Sequence, residues 1–216
     1  MKVGILGGTF NPVHIAHLRI AEEVRDRFDL GKVLFVPAAS PPHKPLGGEL
    51  PFPVRYEMVR RAIAGNRFFD LSDMEERRGG TSYSIDTLRE LRSGHPADEF
   101  FFIIGSDSFL EFGSWHDYGA IFSLCNIVVV ERPGSRVAEP KNALPVAMAG
   151  QFCYHVAERR LAHSSGYSIY FLGGAPLDIS SSAIRDMARL GCSFRYLVPE
   201  AVEDYIKDQR LYADAR

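Results

Sequence analysis

The 216-residue sequence has no long apolar run. None of its hydrophobic stretches approaches the ~20 residues that a membrane-spanning helix needs, so no membrane association is expected. Cysteine is scarce. Cys125, Cys153 and Cys192 lie far apart, no C-x-x-C occurs, and an odd count does not suit a disulfide framework. A reducing cytoplasm is the expected compartment. Charge of neither sign dominates: 25 Lys and Arg against 27 Asp and Glu leave a net charge of −2, without the basic excess of a nucleic-acid binder. No signal-peptide pattern precedes the first strand. Repeats, low-complexity tracts and linkers are absent too, so one domain over residues 1–216 is expected, long enough to bury a substantial core. Two glycine signatures are missing. There is no G-x-x-x-x-G-K-[ST], and Gly4, Gly7 and Gly8 do not make G-x-G-x-x-G, so neither a P-loop nor an ordinary dinucleotide fingerprint is present.

What is present starts at residue 3. Val3, Ile5 and Leu6 form a short apolar run suited to a buried parallel strand, and Gly7-Gly8 end it. From His14 the spacing turns helical, with Leu18, Ala21, Val24 and Phe28 on one face and Glu22, Glu23, Arg25, Asp26 and Arg27 opposite. Glycines let a backbone approach a ligand closely. A helix N-terminus behind them presents free N–H groups and a positive dipole, which suits phosphate. His14 and His17 lie one helical turn apart and can face the same side. A lone histidine is more often structural; two at this spacing behind a glycine turn favour a phosphate site.

The rest of the chain alternates strand and helix. Strands are expected at 32–36, 68–71, 100–104, 126–130 and 168–172, and helices at 53–64, from about 85, over 151–162 and at 199–207. Strand–helix–strand order implies right-handed parallel crossovers. The expected fold is therefore α/β, doubly wound and Rossmann-like, with a mainly parallel sheet. In the helix at 53–64, Val54, Met58 and Ile63 should face inward, with Arg55, Arg60 and Arg61 on a solvated face. Residues 75–80 read as a charged loop and 135–150 as a loop. Ligands of such sheets bind at the carboxyl ends of strands. That singles out Pro37–Pro45, Thr81–Ser84, Gly105–Ser108 and Ile179–Arg185. Each also has a plain structural explanation: a rigid connection, a serine N-cap, an aspartate cap, and a serine cap beside a surface arginine. The lone Trp115, followed by His116, is either packing or a face on which a flat heterocycle stacks. Serine hydroxyls and the Arg185 fork at a helix start would suit phosphate.

Gly7-Gly8-Thr9-Phe10-Asn11-Pro12-Val13-His14-Ile15-Ala16-His17 resembles the H-x-G-H motif of nucleotidyltransferases that join a nucleotide to a phosphomonoester, with Ala16 replacing its glycine. Ile179-Ser-Ser-Ser-Ala-Ile-Arg185 is similar to that superfamily's I-S-S-T-x-I-R segment, with Ser182 for threonine. Pro41-Pro-His-Lys44, Ser82-Tyr83-Ser84 (Ser84 for threonine), Gly105-Ser-Asp-Ser108 and Trp115 resemble more narrowly the bacterial nicotinate-nucleotide adenylyltransferases. The matches run in order from Gly7 to Arg185.

The resemblance implies transfer of the adenylyl group of ATP to nicotinate mononucleotide, giving deamido-NAD and pyrophosphate in NAD biosynthesis. It implies an ATP site of Gly7, Gly8, Thr9, Phe10, His14, His17, Gly105, Asp107, Ile179, Ser182 and Arg185, with Asp107 for a ribose hydroxyl or metal-bound water. It implies a mononucleotide site of Ser40, His43, Lys44, Ser82, Tyr83, Ser84 and Trp115, the tryptophan stacking on the pyridine ring. His14, His17, Lys44 and Arg185 would form the catalytic set. The attacking phosphate is already an anion, so positioning and charge stabilisation suffice. Mg²⁺ is expected with ATP, not in a site of dedicated protein ligands. The expected partners are ATP and nicotinate mononucleotide, with no nucleic acid and no membrane, in a monomer or small homo-oligomer. The alternatives are a related transferase acting on nicotinamide mononucleotide, phosphopantetheine or a CTP-dependent substrate, and a nucleotide-sensing module without turnover. A tRNA synthetase fragment is discounted, since no K-M-S-K-S occurs.

Overall fold

The computed structural model describes residues 1–41, 49–131, 137, 139–173 and 177–213. Its strands are β1 (Lys2–Gly8), β2 (Lys32–Pro37), β3 (Phe69–Leu71), β4 (Glu99–Gly105), β5 (Asn126–Glu131), β6 (Phe152–His155), β7 (Arg160–His163) and β8 (Ser168–Gly173). The helices are α1 (Ile15–Phe28), α2 (Phe52–Ile63), α3 (Met74–Arg78), α4 (Ser84–Gly94), α5 (Ser106–Leu110), α6 (Tyr118–Ile121), α7 (Val146–Ala149), α8 (Ser181–Arg189) and α9 (Glu200–Asp208). Among the described residues no helix is long and apolar enough to cross a membrane.

The central strands are apolar on both faces, as a sheet covered by two helical layers requires. Val3, Ile5, Phe100, Phe102, Ile127 and Val129 pack with Ile85 and Leu88 of α4. Leu6, Val33, Phe35, Phe101, Ile103 and Val128 pack with Ala21 and Val24 of α1, Met58 and Val59 of α2, and Val202 and Ile206 of α9. The strand order is β3-β2-β1-β4-β5-β8-β7-β6. The first six strands pair in parallel and the last two pairs are antiparallel. The sheet is thus doubly wound and mainly parallel, and the order reverses at β1/β4. A crevice forms there, outside the carboxyl ends of the strands.

Two stretches differ from the sequence expectation. Residues 151–162 form the β6–β7 hairpin, not a helix, with Phe152 opposite His163 and His155 opposite Arg160. The segment contains good helix formers, Ala157 to Leu161, but β7 adds to the β8 edge, with Leu161 beside Ile169. A period of two sets its burial: Leu161 and His163 point inward, while Arg160 and Ala162 are partly covered. Arg159 takes the hairpin corner at φ 46 and donates to Glu131 Oε1 at 2.9 Å, which ties the turn to β5. Secondly, the supposed charged loop contains α3, whose Met74 and Glu75 are buried.

Candidate active site

A cleft of about 320 Å³ sits at that crevice, lined by Gly7, Gly8, Thr9, His17, Glu75, Ser82, Ser84, Gly105, Asp107, Ser108 and Trp115 among others. A hollow of about 200 Å³ adjoins it, lined by Ser82, Tyr83, Ser84, Ser108, Glu111, Trp115 and His116. The two share Ser82, Ser84, Ser108 and Trp115.

The turn after β1 is shaped from beneath. Phe10 takes a left-handed φ of 49, unusual for an aromatic residue. Its ring folds back under the chain, where a Cβ on Gly8 would come within 3.2 Å of it. A side chain at position 8 would thus press on the Phe10 ring, which would have to give by a few tenths of an ångström. Phe10 itself is 2% exposed and supports the turn without lining either cavity.

His14 occupies the N-cap of α1, and its main-chain N–H donates to His17 Nδ1 at 3.2 Å. An accepting Nδ1 puts the proton of the neutral ring on Nε2, so His17 presents a donor. The buried His14 ring stacks on His17 with centroids 3.7 Å apart, and Phe10 meets His17 edge-on at 5.1 Å. The pair does share one side of the helix. His17 lines the cleft, and His14 stands behind it.

α8 docks on the same turn. Ser180 caps it, accepting from the Ala183 N–H at 3.2 Å. Ser181 Oγ donates to the Pro12 carbonyl at 2.8 Å. Arg185 Nη1 donates to the Asn11 carbonyl at 2.8 Å, and its Nη2 to Ser182 Oγ at 3.3 Å. Arg185, with Ser182 bonded to it, thus stands beside Asn11, while Ile179 packs against the core, and none of the three lines either cavity.

Ser40 and Ser82 bond reciprocally: the Ser40 N–H donates to Ser82 Oγ and the Ser82 N–H to the Ser40 carbonyl, both at 2.9 Å. Neither Ser82 nor Ser84 caps α4, contrary to the structural alternative. Tyr83 is its N-cap residue, and the Tyr83 side chain makes no cap hydrogen bond. Asp107 is likewise no cap of α5, and its exposed side chain lines the cleft. Trp115 is held by Phe112 at 4.8 Å and Phe102 at 6.2 Å, and Tyr83 packs on His116 at 4.4 Å. His43 and Lys44 lie outside the described residues.

Arg55 corrects the expected solvated face. It is 2% exposed and donates to the carbonyls of Leu50 (2.9 Å), Thr9 (2.8 Å) and Ala39 (3.3 Å). One guanidinium thereby joins the β1 turn, the segment after β2 and the start of α2. Burial holds its pKa below the usual arginine value, with Glu49 the first of the charges opposing that shift. Arg60 and Arg61 do lie at the surface, both paired with Glu57 at 2.7 Å. Glu75 is the other residue that sequence reasoning missed. It is 8% exposed, its Oε1 accepts from Thr87 Oγ at 2.6 Å, and Arg78 donates to the same hydroxyl at 3.1 Å. Oε2 is buried with no partner among the described residues. Thr87→Val would leave the whole carboxylate without a donor. Urea unfolding should show a loss of about 1–3 kcal/mol; a loss under about 0.5 kcal/mol would mean that water replaces the hydroxyl.

A family model described as cytidylyltransferase-like matches residues 5–187, from within β1 to within α8. The chain belongs to the cytidylyltransferase-like family. A protein of Geotalea uraniireducens named probable nicotinate-nucleotide adenylyltransferase is 71% identical over the full length of both chains. One of Geobacter sulfurreducens with the same name is 67% identical over 99% of each. The cytidylyltransferase-like fold is also seen in a Plasmodium falciparum nicotinic acid mononucleotide adenylyltransferase complexed with NaAD. That structure superposes with a TM-score of 0.75 at 19% identity, covering 98% of this chain and 97% of that one.

Proposed function

We propose that this chain transfers the adenylyl group of ATP to nicotinate mononucleotide, releasing pyrophosphate and forming deamido-NAD. The observation that carries the reading is the continuity of the cleft and the hollow. A phosphate-suited turn with His17 opens directly into a pocket walled by Trp115 and the uncapped start of α4. The full-length relatives at 71% and 67% identity, by their names, support the same substrate.

In this reading the 5′-phosphate oxygen of the mononucleotide attacks the α-phosphorus of ATP in line. The new P–O bond forms as the bond to the β-phosphate breaks, and pyrophosphate leaves with the electron pair. No proton has to be removed from the nucleophile, so the side chains position and stabilise. Gly7, Gly8 and Thr9 line the α-phosphate, and His17 Nε2 donates to it while His14 fixes the ring. Arg185, with Ser182 beside it, and Lys44 meet the leaving pyrophosphate. Gly105 and Asp107 hold the ATP ribose. Trp115 stacks on the pyridine ring, whose carboxylate suits the Ser84 amide at the start of α4, since the Tyr83 N–H already donates to the Thr81 carbonyl at 3.0 Å. Ser40 and Ser82 hold that wall together. Mg²⁺ would arrive on ATP's own phosphates, where it would neutralise charge on the phosphoryl groups, and Asp107, exposed in the cleft, would stand beside its water shell. Three free thiols fit the reducing cytoplasm.

The test is pyrophosphate release from ATP and Mg²⁺ with nicotinate mononucleotide, nicotinamide mononucleotide and phosphopantetheine in parallel. By far the highest kcat/KM is expected with nicotinate mononucleotide. Release with another acceptor only would overturn the substrate, and ATP binding without release would revive the sensing module.

A further inference from the structure

We infer that Tyr212 is a positioning residue for the reaction proposed above, on which this inference rests, and that it acts by fixing the Asn11 side chain of the phosphate turn. Tyr212 follows α9, 201 residues beyond Asn11, and its hydroxyl donates to Asn11 Oδ1 at 2.8 Å. The same Oδ1 accepts from the Leu50 N–H at 3.5 Å. Asn11 is 4% exposed, and its main-chain carbonyl receives Arg185 Nη1. Asn11 is thus the residue at which the turn, the start of α2 and the phosphate-binding arginine meet. A shift of its backbone moves the Arg185 guanidinium with it.

Two features set the phenol apart from incidental packing. Tyr212 has a left-handed φ of 65, a conformation that a bulky residue keeps only where its surroundings impose it. Burial raises the phenol's pKa against the pull of Arg185 and Arg55, so the hydroxyl remains a donor. Both arginines that act on the phenol also hold carbonyls of the turn, Arg185 at Asn11 and Arg55 at Thr9. The ring packs against the core on the α2 side of the sheet, so Tyr212→Phe keeps the packing and removes one donor.

The test compares wild type, Tyr212→Phe, Asn11→Leu and the double variant. Two readings are taken: steady-state pyrophosphate release, and amide hydrogen exchange of residues 8–11. Tyr212→Phe is expected to lower kcat about tenfold with KM for both substrates within about twofold. It should quicken exchange in 8–11 while leaving β4 unchanged. The double variant should be no slower than the slower single one, since both remove the same contact. A Tyr212→Phe kcat within about twofold of wild type, unchanged exchange, or losses that multiply in the double variant would each overturn the inference. A wild-type chain that releases no pyrophosphate with any acceptor would overturn the functional reading alone. Exchange would then still decide whether Tyr212 holds the turn.

Discussion

Arg55→Ala is expected to lower the free energy of unfolding by about 3–5 kcal/mol in urea titration followed by circular dichroism. The substitution leaves the carbonyls of Thr9, Ala39 and Leu50 without their donor and opens a void where 2% of the side chain meets solvent. Arg55→Lys should recover no more than about half of the loss, because a single ammonium cannot fork to three segments. A loss under about 1 kcal/mol for the alanine variant would mean that water enters and satisfies all three carbonyls. The guanidinium would then be dispensable to the turn.

His17→Ala is expected to lower kcat about a hundredfold, with KM for ATP and nicotinate mononucleotide changed little. The reason is the fixed ring. With Nδ1 held by the His14 N–H, one face stacked on His14 and Phe10 meeting the ring at a T-shaped angle, His17 in the proposed role would need no reorganisation as charge develops on the transferring phosphoryl. A raised KM with unchanged kcat would reduce it to a ground-state contact. Unchanged values for both would remove it from the site.

Most of the fold was legible because its central strands are short apolar runs ended by glycine or proline, and α1 shows a clean helical period. The hairpin at 152–163 was not legible as such. Ala157-Glu-Arg-Arg-Leu161 has helical propensity, and what outweighs it is the unpaired edge of β8, a partner that lies outside the segment. Arg55 was misread for a different reason. It shares one helix face with Met58, Val59 and Ile63, so the period pointed inward and only the residue type pointed out. Glu75 was hidden in the same way among Glu76, Arg77 and Arg78. The cleft residues were readable where they stand at strand ends. The support beneath them was not, since it consists of carbonyls at Thr9, Asn11, Pro12 and Ala39, and backbone acceptors carry no residue signature.

The turn that opens the sequence also has a place in time. Ile15 donates to the Leu197 carbonyl, Ser181 to Pro12, Arg185 to Asn11 and Tyr212 to Asn11 Oδ1. On the ribosome the first of these partners emerges early and the others much later. At roughly 5–20 residues per second, the interval between Asn11 and Tyr212 is on the order of ten seconds or more. During it β1, β2 and β4 can already pair, but the histidine turn waits for its last hydrogen bond. The nascent chain can therefore hold a formed sheet before the turn has its last hydrogen bond, and on the inference drawn for Tyr212 the site would be completed late in synthesis.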